Sequence, residues 1–393
     1  LKILIMHDYI PYGCQDINQK DIDEVVSVLK SEFITQGPIT PQFEKAVASY
    51  SKSKFAVATN SATSALHIAC LALELKAGDI VWTSPISFAA SANCARYCGA
   101  EIDFVDIDSD TFNISIEALT NKLREAESRG KLPKIVIPVH FGGSPCAMKE
   151  IYILSKKYGF NIIEDASHAI GAKLDSHMVG DCHYSDITVF SFHPVKIITS
   201  GEGGVACTNK SELASSMLRL RTHGIIKSEK DFCEKSHGPW YYEQIDLGFN
   251  YRLTDIHSAL GLSQLSRVDS FVKKRNELAK IYDVAFDNLP IQRQILQSSC
   301  YSSYHLYVIR VKVKESKKSH IEIFKGLRDA NIGVNIHYIP IYLHPYYQKL
   351  GFELGYCPEA ENYYSEAISL PIFPKLSKKN QNFVINNLEK LIL

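Results

Sequence analysis

The chain is predicted to be an α/β protein, a mostly parallel sheet covered by helices, followed by a smaller α+β region. Two observations predict this. Short β-branched runs recur from about residue 54 to residue 192 with helix-length spacers between them, and the pattern changes beyond residue 288. Apolar strands spaced by helices of that length pack as a parallel sheet buried on both faces.

The elements follow in order. FAVAT (55–59) opens the series, and NSATSALHIA (60–69) begins the first helical spacer. IVWTSP (80–85), EIDFVDID (101–108), KIVIPVH (134–140), FNIIEDA (160–166) and DITVFSF (186–192) continue it. Ligands of such sheets gather at the carboxyl ends of strands, and the candidate motifs sit there or in the loops beyond. From Thr254 to about Phe286 no Gly or Pro follows Gly261. Leu265, Val268, Val272, Leu278, Ile281 and Val284 keep helical spacing there, which predicts one long helix leaving the first domain. A loop near 288–303, a strand in SYHLYVIRVKV, a helix in IEIFKGLRDA, a strand in GVNIHY and terminal helices complete the chain. The division expected is a large domain over 1–265, with residues 1–35 contributing to the active site, and a small domain over 266–393.

Composition excludes several classes. Lys plus Arg and Asp plus Glu both number 43, so the chain lacks the net positive charge of a nucleic-acid binder. No apolar run reaches the roughly 18 residues that span a bilayer. The opening LKILIMHDYIPYG is too short and too weakly basic in its apolar part for a signal peptide, and without an initiator Met it reads as a trimmed start. Ten cysteines are scattered; Cys94 and Cys98 could share a helix face, but no second pair or His cluster completes a metal site. Reduced thiols in a cytoplasmic protein are the expectation. No GxGxxG follows the first strand, which counts against a dinucleotide-binding oxidoreductase.

The chemistry gathers around SFHPVKIITSGEGG (191–204), whose only lysine, Lys196, is set among turn-forming residues. An amine becomes a useful nucleophile when its surroundings lower its pKa or hold it on a carbonyl. Asp165 ends the apolar run NIIEDA. It is either an N-cap for the segment that follows or an anion paired with a protonated pyridine nitrogen. The hydroxyl-rich start of NSATSALHIA suits an ordinary N-cap, and equally a phosphate site built on free N–H groups and the helix dipole. Phe88, in SPISFAAS, either covers a planar ring or fills the core. A phosphate cradle, an aromatic, an Asp and a Lys in this order make a pyridoxal phosphate (PLP) site of fold type I.

The sequence resembles the DegT/DnrJ/EryC1/StrS family of nucleotide-sugar aminotransferases over nearly its whole length. The stretches that carry the resemblance are TQGP (35–38), NSATSALH (60–67), EDASHAIGA (164–172), SFHPVKIITSGEGG, LGFNYRLTDIHSALGLSQL (247–265) and IHYIPIY (336–342). The resemblance implies that Lys196 binds PLP covalently and, once released, carries a proton between cofactor and substrate carbon. It implies that Asp165 keeps the ring nitrogen protonated, that His168 sits beside the phenolic oxygen, and that Ala62, Thr63 and Ser191 bind the phosphate. Asn250, in GFNYR, would reach that phosphate from the neighbouring subunit, which implies a homodimer with shared sites.

Within the family, SATSALH, DASHAIGA, SFHPVK and RTHGIIK followed by PWYYEQIDLGFNYRLTD are similar to the branch of flagellin-sugar, or pseudaminic acid, biosynthesis. That branch implies a UDP-linked 4-keto-6-deoxy-N-acetyl-altrosamine as substrate and glutamate as amino donor. It also implies that Tyr12, Glu32, Phe33, Ile34, Thr35, Asn335, His337 and Tyr338 line the sugar-nucleotide and cofactor pocket. Taken alone, Tyr12 reads as a disordered N-terminal aromatic and His337 as a core histidine. Ser200 stands where relatives commonly carry Thr and keeps the hydroxyl. Relatives with His in place of the lysine dehydrate their substrates, so Lys196 argues for amino transfer. A 4-aminotransferase of perosamine type acting on a GDP or dTDP sugar, and a non-catalytic binding protein on the same fold, are the alternatives.

Overall fold

The computed structural model describes residues 8–393; the rest of the opening LKILIMH stretch lies outside the described residues. The alternating pattern folds into a seven-stranded sheet. Its strands are β1 (Phe55–Thr59), β2 (Ile80–Thr83), β3 (Glu101–Phe104), β4 (Ile135–Ile137), β5 (Asn161–Asp165), β6 (Ile187–Ser191) and β7 (Gly204–Thr208). They lie in the order β1-β7-β6-β5-β4-β2-β3. All neighbours from β3 to β6 pair in parallel, and β7 alone runs antiparallel to both β1 and β6. The mostly parallel sheet expected from the sequence is present. β7, buried along its whole length, was not among the expected strands because its GVACT run hides behind the glycines of the lysine loop.

Strand residues alternate between two cores, as a pleated sheet covered on both faces requires. Val81, Ile135, Ile137 and Ile163 enter one apolar cluster with Ala65 and Leu66 of α3 (Ala62–Ala72) and Met217 of α7 (Ser211–Leu220). Their neighbours Trp82, Val136 and Ile162 enter another with Leu119 and Leu123 of α5 (Ile116–Ser128) and Ile151 of α6 (Met148–Tyr158). Helix α3 is small and apolar on nearly every side, and so it is buried.

Beyond residue 285 a three-stranded antiparallel sheet forms from Ile291–Arg293, Tyr307–Val311 and Ala367–Leu370. Helices His320–Asp329 and Lys378–Ile392 flank it, and Ile10 joins its core beside Ile309, Ile323, Ile368 and Leu388.

Two expectations need correction. The single long helix over 254–286 is two: α8 (Asp255–Leu265) and α9 (Val268–Ala285). The break involves no Gly or Pro. Gln264 Nε2 donates to Asp21 Oδ2 at 2.7 Å, Ser263 Oγ donates to Asp21 Oδ1 at 2.6 Å, and Arg267 pairs with Asp21 and Asp16. The Ser266 and Ser270 hydroxyls take up the carbonyls of Ser263 and Arg267. Ile281 and Val284, expected on the apolar face of the long helix, are exposed at 39% and 73%. GVNIHY is not a strand either. It makes only a bridge at Asn335 to Ser369, with Ile332 just ahead of it bridged to Ile10, while Asn335, His337 and Tyr338 line a cavity and Val334 packs into the small sheet's core.

Candidate active site

The carboxyl ends of β5 and β6 and the amino end of α3 open onto one cavity of about 780 Å³, a size suited to a cofactor with its substrate. Eleven of the expected residues line it: Tyr12, Ala62, Thr63, Phe88, Asp165, His168, Ser191, Lys196, Asn335, His337 and Tyr338. Five do not. Glu32, Phe33, Ile34 and Thr35 form an exposed turn whose Ile34 carbonyl accepts from the Asp255 N–H at 3.1 Å. Asn250 is exposed, and its carbonyl accepts from Asn60 Nδ2 at 3.5 Å.

Asp165 is the last residue of β5 and only 4% exposed. No helix follows it, so the N-cap alternative falls away; its Oδ1 accepts from the Ser167 N–H at 3.1 Å and its Oδ2 from Ser91 Oγ at 2.6 Å. Beneath it, the His140 N–H donates to the Asp165 carbonyl at 3.1 Å, which fixes the strand end. Ser191 ends β6, and the chain then curls. The Lys196 N–H donates to the His193 carbonyl at 2.9 Å and the Ser200 N–H to the Phe192 carbonyl at 3.0 Å. That curl lets two residues five apart face one cavity.

Burial lowers the Lys196 amine from 10.5 to about 8, against the pull of the Asp165 carboxylate, which favours the charged form. His168 and His337 are neutral. Burial, and then the charges of Lys196 and His337, hold His168 well below the ordinary imidazole range, and burial with Lys196 brings His337 down to about 3. Hydrogen-bond partners assign the tautomers. His168 Nδ1 accepts from the Gly142 N–H at 3.3 Å, leaving the proton on Nε2, 3.3 Å from the Tyr338 hydroxyl. His337 Nε2 faces the Asn335 amide at 3.4 Å, so Nδ1 carries the proton toward Ser369 Oγ at 2.8 Å. Burial also raises the Tyr338 hydroxyl above its ordinary value. One wall of the cavity is therefore polar and uncharged.

The geometry fits the PLP expected from the sequence. Ser61 caps α3 by accepting from the Ser64 N–H at 3.1 Å. The first-turn N–H groups of Ala62 and Thr63 then have no acceptor within the helix, and both residues line the cavity at the positive end of the helix dipole. β7 presses against this turn: a Cβ on Gly204 would stand 2.4 Å from the Ala62 nitrogen, so only glycine fits. Asp165 lies at a strand end, Lys196 in the loop beyond, and Phe88 is 64% exposed with its ring facing the cavity. A helix end, a buried carboxylate, a buried amine and an exposed aromatic thus line one cavity, groups whose chemistry suits a phosphate, a ring nitrogen, an aldehyde and a ring face.

The model of the DegT/DnrJ/EryC1/StrS aminotransferase family matches residues 15–389. The chain belongs to this family. A relative in Campylobacter jejuni, a UDP-4-amino-4,6-dideoxy-N-acetyl-beta-L-altrosamine transaminase, is 38% identical over 98% of this chain and 97% of its own. Among solved structures, Helicobacter pylori PseC, an aminotransferase of pseudaminic acid biosynthesis, superposes with a TM-score of 0.88 at 32% identity, covering 98% and 99% of the two chains. A Streptococcus pneumoniae protein assigned as a sugar aminotransferase, solved in its PMP form, gives 0.88 at 30% identity over 97% and 98%.

The aminotransferase cavity also holds residues that the sequence reading did not single out as site residues. Asn60, Ser61, Ser64, Ser87, Ser167, His193 and Glu202 all line it. Ser61 and Glu202 lie inside quoted motifs and were within reach of a sequence argument. Ser87 lies inside the quoted SPISFAAS too, but nothing local distinguishes it from any other serine.

Proposed function

We propose that this aminotransferase uses PLP to convert a UDP-linked 4-keto-6-deoxy-N-acetyl-hexosamine of altrosamine type into the 4-amino sugar. Glutamate is the donor, and the route is pseudaminic acid biosynthesis. The names of the Campylobacter and Helicobacter relatives support the sugar and the route. The observation that carries the chemistry is a single amine, Lys196, lowered to about 8 and facing one cavity with Asp165 and the open end of α3.

When bound, the cofactor supplies an electron sink that acidifies the carbon attached to the reacting nitrogen. The chain does the rest. The N–H groups of Ala62 and Thr63 and the Ser191 hydroxyl hold the phosphate. Asp165 pairs with the ring nitrogen, and Phe88 covers the ring. His168, neutral and with its proton on Nε2, sits at the edge that bears the phenolic oxygen. Lys196 would anchor the cofactor at rest and, once released, move a proton from the donor carbon to the cofactor carbon in the first half-reaction and from that carbon to C4 of the sugar in the second. An amine titrating near the working pH can take up and release that proton within each half-reaction. Tyr12, Asn335, His337 and Tyr338 orient the sugar through hydrogen bonds without adding charge.

The same reading makes the protein a homodimer with shared sites. Asn250 serves the partner's phosphate site, and Glu32 to Thr35 belong to the shared face. Both are exposed in the single chain, and in the segment leading to Asn250 the side chains of Trp240 and Leu247 stand 75% and 82% exposed, apolar surface of the kind a second copy covers. All ten cysteines are free thiols, and no described helix is long and apolar enough to cross a membrane. Both facts agree with a place in the cytoplasm.

The test is turnover. With PLP and glutamate, the protein should convert the UDP-linked 4-keto-N-acetyl-altrosamine to its 4-amino product while 2-oxoglutarate accumulates. Turnover confined to a GDP- or dTDP-linked 4-keto sugar would overturn the substrate assignment, and none with any 4-keto sugar would overturn the reaction.

A further inference from the structure

We infer that Ser91, aligned by Ser87, is the positioning residue that sets the carboxylate of Asp165 for the ring nitrogen of the cofactor; this rests on the role proposed above for Asp165. Ser91 lies near the start of α4 (Ala90–Tyr97), and its side chain is fully buried. Besides Ser87 Oγ, its hydroxyl has two acceptors within reach for its one proton, Asp165 Oδ2 at 2.6 Å and the Phe88 carbonyl at 3.3 Å. On its other side stands Ser87 Oγ, at 2.7 Å, also buried. With Ser87 donating to Ser91, the Ser91 proton goes to the carboxylate, and each bond of the chain polarises the next.

The consequence is geometric. Asp165 takes one donor on each oxygen, the Ser167 N–H on Oδ1 and Ser91 on Oδ2. Two anchors fix the rotation of the carboxyl plane, and the lone pairs left over meet the cavity in one orientation. The segment that holds Ser87 and Ser91 also holds Phe88 between them. One short stretch thereby sets both the ring cover and the ring-nitrogen partner, so the two cannot drift apart. Asp165 also faces Lys196 and His168, and neither donates a hydrogen bond to its carboxylate.

Binding of PLP compared with an analogue carrying CH in place of the ring nitrogen tests this. The measured quantity is the ratio of the two dissociation constants, by equilibrium binding to the cofactor-free protein. Ser91→Ala should lower the wild-type ratio about tenfold by weakening PLP while leaving the analogue unchanged, the loss expected of a hydrogen bond to a charged group. Ser87→Ala should lower it by about threefold, since it acts at one remove. A merely structural role would weaken both ligands equally and leave the ratio unchanged, and that result in either variant overturns the inference. Should Ser91→Ala fail to fold, the Ser87→Ala ratio decides. A wild-type protein that does not discriminate between PLP and the analogue would instead refute the role of Asp165 itself.

Discussion

Gly204 and Ala62 touch backbone to backbone: the first residue of β7 lies so close to the first turn of α3 that a Cβ there would stand 2.4 Å from the Ala62 nitrogen and 2.5 Å from its Cα. The phosphate end proposed for the cavity rests on this contact, because Ala62 and Thr63 belong to the same turn. Gly204→Ala should push α3 away. It should cost about 1–3 kcal/mol of stability, as overpacking of a buried contact does, and weaken PLP binding more than tenfold. Chemical denaturation together with PLP titration checks this, and a variant that binds PLP like wild type contradicts it.

Lys196 predicts an unusual pH dependence. In the cofactor-free protein, burial lowers the amine to about 8 from the 10.5 of an exposed lysine. Between those values the unfolded chain holds a proton that the folded chain has released, so the Lys196 contribution to stability rises with pH across the window. Below pH 8 both states hold the proton, and the folded state bears the full burial cost. Lys196→Met should therefore be more stable than wild type at about pH 7, with the gap closing as pH approaches about 10. Urea unfolding at both ends of the window measures the gap. A gap that stays constant would mean that the amine is not desolvated.

Asp255 is the buried anchor of the turn that follows Glu32 to Thr35. Its carboxylate accepts from the Gly37 N–H at 2.5 Å, from the Thr40 N–H at 2.7 Å and from Thr40 Oγ1 at 3.1 Å. Asp255→Ala leaves these donors unpaired and should cost about 3 kcal/mol. Amide exchange at Gly37 and Thr40 should accelerate with it. Unchanged protection of those two amides would show that the turn holds without its anchor.

The shared-site proposal is open to complementation. Lys196→Ala and Asn250→Ala should each be inactive alone. If Asn250 serves the partner's site, a mixed dimer contains one site with neither defect, and equilibrated mixtures should recover roughly a quarter of wild-type activity. No recovery on mixing would place Asn250 in its own chain's site, and an Asn250→Ala variant active by itself would place it outside the chemistry.

What was legible in the sequence follows a physical divide. Asp165, Ser191 and Lys196 sit at strand ends and in the loop beyond, where local pattern and chain position coincide, so their gathering could be read in advance. The Ser91 contact with Asp165 spans 74 residues, and no local pattern encodes it. The break between α8 and α9 was missed for the same reason. Its cause is Asp21, more than 240 residues away from Gln264 and Arg267, and no helix-breaking residue marks the place. β7 was hidden by the loop glycines, of which Gly204 is the one its close approach to α3 demands. Tyr12 and His337 were reached only through the family resemblance, since a tyrosine near the terminus and a lone histidine carry no signal of their own.

The most direct test of the central claim, amino transfer through Lys196, is a visible absorbance spectrum of the PLP-loaded protein before and after glutamate. Wild type should show the visible band of lysine-bound cofactor, lose it with glutamate, and regain it when the UDP-linked 4-keto sugar is added. Lys196→Ala should show no such cycle. A wild-type protein that takes up no PLP, or whose band ignores every amino donor offered, would contradict the account.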